Sequence, residues 1–151
     1  MTCQSSAAKG NLASAAGTTN VQVGTIAPLT WSVCTSPFGP LNPQADTSTP
    51  WKVMANSYSN GVTSGYLSGV KFTWNMLTCT AKMSGRLAVK YTNATGKLDV
   101  SDDATYKLTV DTATRGCAGL LAPGDNWKYS TSYVVATPAG GTVKPTIVHA
   151  D

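Results

Sequence analysis

The stretch RLAVKYTNATGKLDVS, residues 86–101, decides the fold class. Apolar residues alternate with polar or small ones in both of its halves, and a period of two predicts strands with one buried face. The alternating residues are Leu87, Val89 and Tyr91 in the first half and Leu98 and Val100 in the second. Between them, Asn93 and Gly96 accept the positive φ that a tight turn requires. The stretch therefore predicts a β-hairpin.

Several other segments alternate in the same way, with a proline-rich interruption. The residues expected to share a face are, segment by segment, Leu29, Trp31 and Val33; Tyr66, Val70, Phe72, Trp74 and Met76; Tyr106, Leu108 and Val110; and Trp127, Tyr129, Thr131, Tyr133 and Val135. Residues 36–50 hold four of the eight prolines and predict a long exposed loop through which strand pairing does not continue. Residues 1–20 fit an early strand or a loose arm, and we favour the strand.

These patterns predict one all-β domain over residues 1–137, an antiparallel β-sandwich or flattened β-barrel of about 8–10 strands. The C-terminal tail, residues 138–151, has the composition of a linker with one short edge strand around residues 146–148. Composition agrees with a β-protein, because only 12% of the 151 residues are charged and Glu is absent, whereas Thr and Ser number 22 and 14.

Charge and hydropathy exclude two classes of function. The net charge is +4, but the nine Lys and two Arg are scattered singly, so we expect no nucleic-acid binding. No apolar run approaches the length of a membrane span. The polar residues after Met1 do not form a signal peptide, and we expect an exported protein from which the leader has been removed.

The four cysteines predict two disulfides, with four buried free thiols in a cytosolic protein as the alternative. The cysteines stand far apart with no CxxC spacing, which disfavours a zinc or thioredoxin-type site and favours an oxidising, extracellular compartment. Three pairings are open to four cysteines, and we predict Cys3 with Cys34 and Cys79 with Cys117. Each bond would close a loop of roughly 30–40 residues and contribute about 3–4 kcal/mol in the loop-entropy model.

Several segments together resemble small secreted all-β proteins of actinobacteria, a group without an established activity. The resemblance covers residues 25–136 and lies in a strand ending at Cys34, in Pro50-Trp51, in GVTSGYLSGVKF at 61–72, in YTNATGKLDV at 91–100 and in GCAGLLAPGD at 116–125. It implies export and an all-β domain. It provides no catalytic residue, cofactor or ligand that could be carried over to this sequence.

Catalytic groups are scarce in this sequence. The only histidine, His149, lies in the tail, which disfavours a Ser-His-Asp triad. All seven acids are Asp, mostly at predicted turns, and Asp99, Ser101 and Asp103 are better explained by a strand end than by a calcium loop. We therefore predict a protein that is not an enzyme and has no metal or cofactor.

Aromatic residues are the remaining candidates for binding. Trp51 and Trp127 begin predicted strands and Tyr58 precedes a turn, so these three are the predicted ligand-binding residues. We expect a secreted, non-catalytic binding or surface protein whose partner is an extracellular protein or glycan. The alternatives are a carbohydrate-binding module and a small-ligand carrier with a barrel cavity.

Overall fold

The structure is a computed structural model that describes residues 1–17, 19–36, 38–137 and 141–150. The fold is all-β, as predicted. The described residues contain no helix long and apolar enough to cross a membrane. The strands are β1 (Thr2–Leu12), β2 (Ala15–Ala16), β3 (Val21–Ser36), β4 (Gly39–Ala45), β5 (Trp51–Ser59), β6 (Val62–Met76), β7 (Cys79–Thr92), β8 (Lys97–Ser101), β9 (Leu108–Ala113), β10 (Asn126–Trp127), β11 (Ser130–Val134) and β12 (His149–Ala150).

Ten strands form one antiparallel sheet that follows the order of the chain. The first half of β3 pairs with β5 and its end pairs with β4, and β6 pairs with the same two strands from the other side. Strands β4 and β5 therefore lie end to end and occupy one position across the sheet, which we call a lane. Along β7, strands β8 and β9 share a lane in the same way, and β11 and β10 flank them.

The sheet thus has seven lanes in up-and-down order: β1, β3, β4/β5, β6, β7, β8/β9 and β10/β11. It curls so that its two edges meet through side chains, as Ser6 Oγ and Tyr133 OH lie 2.8 Å apart. Trp31 Nε1 also donates to Tyr129 OH at 3.3 Å across the interior. The result is a flattened barrel with a seam between β1 and β11.

Both predicted disulfides are confirmed. Cys3 joins Cys34 between β1 and β3, and Cys79 joins Cys117 at the start of β7. Cys117 ends a short 3₁₀ turn that begins at Arg115, so its bond holds the loop after β9 against the same end of the barrel. We call this the disulfide end.

The tail contacts the opposite end of the barrel instead of extending away as a linker. Ile147 is buried in the core, and its backbone N and O bond to the side chain of Asn93 at 3.0 and 2.9 Å. Tyr91 OH donates to the carbonyl of Pro145. The tail's strand is His149–Ala150, which pairs in parallel with β2, rather than residues 146–148. Residues 138–140 and 151 of the predicted tail lie outside the described residues.

The predicted loop at residues 36–50 is wrong in its middle part, where β4 lies between β3 and β6. Prolines fit because β4 pairs with β3 through residues 39–41 and with β6 through residues 42–45. Pro40 and Pro43 consequently each have one side free of the ladder, where a missing N–H costs nothing.

Three shared-face assignments from alternation are also wrong, although one of the residues, Tyr66, is buried at 7% exposure. Val33 has φ +47° and is exposed, so Cys34 takes the buried position instead. A bulge between Leu67 and Val70 reverses the faces of β6, which places Tyr66 on the outer face of the sheet. Tyr106 precedes β9 and stacks on Tyr66, with ring centroids 4.9 Å apart.

Candidate functional site

Three exposed apolar side chains lie at the disulfide end. Val33, Phe38 and Leu77 are 59%, 60% and 91% exposed. Phe38 is at the turn between β3 and β4, and its N–H donates to Ser36 Oγ at 3.2 Å. That hydroxyl lies 3.2 Å from Sδ of Met76, the residue before Leu77. We call these three exposed residues the apolar end.

The turn that carries Leu77 is strained. Met76 pairs with Cys79, so the turn consists of Leu77 and Thr78, and Leu77 has φ +46°. Two-residue hairpin turns favour Gly, Asn or Asp at positive φ, because a larger side chain meets the backbone there. The turn between β5 and β6 has the favoured pair Asn60-Gly61, with φ of 51° and 77°. Leu77 is thus exposed at a position that suits a different residue.

Val33 shows the same combination of exposure and strain. Its φ of +47° is unusual for a β-branched residue, whose side chain crowds the backbone in the left-handed region. The Cys3–Cys34 bond lies immediately beside it and fixes the chain at this point. Backbone strain of this kind persists where the surrounding structure holds it, and it is frequent at functional sites.

Among the predicted ligand-binding residues, the surface position of Trp51 is wrong. The side chain is 2% exposed, and its indole N–H donates to the carbonyl of Asp46 at 2.9 Å. Residue 51 begins a strand, as predicted, but that strand continues the lane of β4. It therefore lies beside the middle of the barrel rather than at its rim.

Tyr58 and Trp127 are both half-buried and lie far apart. Tyr58 is paired with Thr63 at the start of β6, whereas Trp127 packs on Trp74 near the end of that strand, with centroids 5.8 Å apart. The Nε1 atom of Trp127 is buried and has no hydrogen-bond partner among the described residues. The structure does not bring the three predicted residues together.

The outer face carries an aromatic cluster that alternation misassigned. Tyr66 donates to Asn20 Oδ1 at 2.9 Å, and Asn56 Nδ2 donates to Tyr106 OH at 3.0 Å. The Arg86 guanidinium lies 5.2 Å from the centroid of the Tyr66 ring. These groups satisfy one another, so the cluster holds the loop between β8 and β9 against the sheet.

The carboxylates also have structural partners. Hydrogen bonds from Ser132 and Lys97 lower the pKa of Asp99. Burial raises the pKa of Asp102, but bonds from Lys128 and the Tyr129 N–H outweigh it, and the net shift is downward. Lowered pKa values suit ionised carboxylates in structural bonds rather than a general acid. The described residues contain no cluster of His, Cys, Asp or Glu that could hold a metal ion.

Two small clefts in the described part of the chain measure about 100 and 110 Å³. Pockets for small molecules usually measure roughly 300–1,000 Å³. The first cleft lies in the seam and is bordered by Ser6, Trp31 and Tyr129. Burial, followed by the neighbouring Tyr133 hydroxyl, raises the pKa of Tyr129, so its hydroxyl stays protonated at neutral pH.

Comparison with known proteins adds no assignment, because no family model, curated protein or solved structure matches this chain. The sequence patterns did not single out Phe38 or Leu77. The available signal was an apolar Leu in a two-residue turn between two strongly alternating strands.

Proposed function

We propose that this protein is a secreted, non-catalytic domain that binds an extracellular partner protein through its apolar end. The observation that carries the proposal is Leu77, which is 91% exposed in a left-handed backbone conformation. The exposed Leu77 side chain gains nothing from burial, and its left-handed backbone carries strain, so neither feature stabilises the fold. Phe38 and Val33 add apolar surface at the same end, which contact with another protein would bury.

Export is part of the proposal and is supported by the disulfides. The chain has two disulfides, and disulfides form and persist mainly in oxidising compartments such as the cell exterior. They also fix the two chain segments that carry Val33 and Leu77. A partner would therefore meet a rigid surface, which limits the entropy lost on binding.

The absence of catalysis is supported by the partners of the titratable groups. All four cysteines are in disulfides, and Asp99 and Asp102 have lowered pKa values from structural hydrogen bonds. The carbohydrate-binding alternative needs two exposed, coplanar rings. Trp51 is buried, and Tyr58 and Trp127 lie near opposite ends of β6, so we do not propose it. The small clefts likewise give no support to a carrier.

Site-specific photo-crosslinking tests the proposal. A benzophenone amino acid is introduced at position 38, at position 77, or at Thr95 in the turn between β7 and β8 at the opposite end. Each variant is irradiated with extracellular proteins of the organism that makes the chain. We expect one protein to be crosslinked from positions 38 and 77 and not from position 95.

A competition experiment completes the test. Excess unlabelled wild-type protein should abolish the crosslink, and excess Leu77→Asn should compete at least about tenfold less well if one buried Leu contributes its usual 1.5–3 kcal/mol. Equal competition by the two proteins would overturn the proposal, as would crosslinking of the same proteins from all three positions.

A further inference from the structure

The sheet has an odd number of lanes, seven, so its first and last strands cannot pair antiparallel as the other neighbours do. Strands in an up-and-down sheet alternate in direction, so the first and seventh lanes run the same way. Strands β1 and β11 both run away from the disulfide end, towards the end of the barrel that the tail contacts. In the described chain they are the two ends of the hydrogen-bonded order, and they meet through side chains such as Ser6 and Tyr133. One further strand would run antiparallel to both of them.

The backbone of β11 has hydrogen-bonding groups that point towards the seam. The Val135 N–H bonds to Gly96 O, and the Asp102 N–H bonds to Tyr129 O. In antiparallel pairs, hydrogen-bonded and non-bonded residues alternate. The odd-numbered residues 129–135 therefore bond to β8, and the N–H and C=O groups of Ser130, Ser132 and Val134 face away from it.

The side chains along this edge offer no protection against strand pairing. Ser130–Val134 contains no charge, Pro or Gly, and Val134 is 77% exposed. Edge strands that avoid pairing usually carry a charged residue, a Pro or a bulge. Strand β1 has such features only in its second half, where Lys9 follows Ala8 and a register shift occurs between Ala8 and Gly10. Its first part, Thr2–Ala8, is uncharged.

We infer that the seam between β1 and β11 binds an extended peptide segment of a partner protein as an eighth lane, antiparallel to both strands. Backbone hydrogen bonds to Ser130, Ser132 and Val134 would supply the affinity. The segment is uncharged where it faces Ser130–Val134 and Thr2–Ala8, because these two stretches carry no charge. Lys128, which borders the cleft, is paired with Asp102. The inward side chains of the segment are small, because the cleft beneath the seam holds about 100 Å³. This site is separate from the apolar end and does not depend on the function proposed for it.

The test uses peptides of ten residues from a random display library, selected on the folded wild-type protein. The selected peptides are measured against Val134→Pro, which removes an N–H facing the seam, and Val134→Thr, which retains it. We expect binding to fall about tenfold or more in Val134→Pro, for the loss of one backbone hydrogen bond, and to be unchanged in Val134→Thr. Amide hydrogen exchange should slow at residues 132 and 134 when peptide is bound.

Other results would overturn the inference. One is equal binding to the two Val134 variants, both shown to be folded by their circular dichroism. Another is unchanged exchange at residues 132 and 134. Concentration-dependent dimerisation that is abolished by Val134→Pro would identify a second copy as the occupant instead. Binding that is lost in Leu77→Asn would place the peptides at the apolar end, whereas the inference requires that variant to bind normally.

Discussion

At position 77 the backbone conformation favours Asn, whereas the proposed binding surface uses Leu. A left-handed backbone conformation costs a non-glycine residue roughly 1–2 kcal/mol, and Asn tolerates it better than Leu because its short polar side chain bonds locally. Since Leu77 is almost fully exposed, its replacement leaves no cavity. Backbone strain is therefore the main contribution of Leu77 to the free energy of unfolding.

We predict that Leu77→Asn stabilises the protein by about 1 kcal/mol by relieving this strain. Urea unfolding of the variant and the wild type measures the difference. Leu77→Ala is the matched control, because Ala removes the apolar side chain but keeps the strain, and its stability should stay close to that of the wild type. A loss of stability in Leu77→Asn would show that the turn holds Leu for a structural reason.

Asp102 makes the stability of the protein depend on pH in the acid range. Burial raises the pKa of Asp102, but the bonds from Lys128 Nζ at 2.9 Å and from the Tyr129 N–H at 2.8 Å outweigh burial, so the pKa in the folded protein lies below the ordinary 3.8. A lowered folded pKa means that the stabilisation is complete above the unfolded pKa and is lost as the pH falls through the folded value. Stability should therefore fall below about pH 4.

The variant Asp102→Ala tests this dependence. We expect it to be less stable than the wild type at pH 7 by about 1.5–3 kcal/mol, the usual value of hydrogen bonds to a charged group, and to show a smaller change in Tm between pH 7 and pH 3. Lys128→Ala, which removes one of the two bonds, should give an intermediate slope. Parallel pH profiles for Asp102→Ala and the wild type would contradict the assignment.

At the scale of elements, the two disulfides close loops of similar length but lie in different surroundings. The separations are 31 and 38 residues, and the loop-entropy model gives each bond about 3–4 kcal/mol. Cys79 and Cys117 are both buried in the core, whereas Cys3 is partly exposed on an edge strand. The Cys79–Cys117 bond also holds the loop after β9 against the barrel.

We predict that replacing Cys79 and Cys117 with Ala destabilises the protein more than the same change at Cys3 and Cys34. Loss of the Cys79–Cys117 bond should add the cost of two buried sulfurs to the loop term, whereas loss of the Cys3–Cys34 bond should add that of one, because only Cys34 is buried. Denaturant unfolding of the two double variants measures the order. Equal losses would mean that the loop after β9 stays in place without its bond.

The elements of the fold follow from alternation as long as a strand stays regular, and the errors fall where it does not. Alternation over residues 86–101 correctly predicts the hairpin formed by the second half of β7 and by β8. The bulge after Leu67 lies at Ser68-Gly69, where Gly69 has φ +73°, but alternation alone does not show that the faces reverse there. The left-handed Val33 changes the buried position of β3 with no glycine or proline beside it. For the same reason, the exposure of Leu77 could not be predicted from a pattern that treats every Leu as buried.

At the scale of the whole molecule, the predicted 8–10 strands are consistent with the ten of the main sheet, but the sequence does not reveal that they occupy seven lanes. The breaks at residues 46–50 and 102–107 fall between strands that continue in one direction, whereas the breaks at 60–61 and 77–78 reverse the chain. Both kinds contain turn-forming or polar residues. The misplacement of Trp51 follows from this ambiguity, because a strand start in mid-lane lies in the core.

The tail gives the molecule its last element, and its contacts attach it to the barrel. Ile147 is buried among the core residues, and Asn93 bonds to both polar groups of its backbone. The Asn93 side chain thereby acts as a neighbouring strand would. Its amide nitrogen donates to Ile147 O, so a modification of that nitrogen would compete with docking of the tail.

We predict that Ile147→Ala destabilises the whole domain by about 2–5 kcal/mol, the usual cost of truncating a buried Ile, whereas a linker residue would cost almost nothing. Asn93→Ala should cost about 1–3 kcal/mol, because it leaves the backbone groups of Ile147 without their partners. Both changes act by releasing the same segment, so the double variant should lose less than the sum of the single losses. Val143→Ala, at an exposed position of the tail, is the control and should unfold like the wild type. Urea unfolding of the four variants completes the cycle. Strictly additive losses would show that the two contacts act independently, and losses near zero would place the tail outside the cooperative unit.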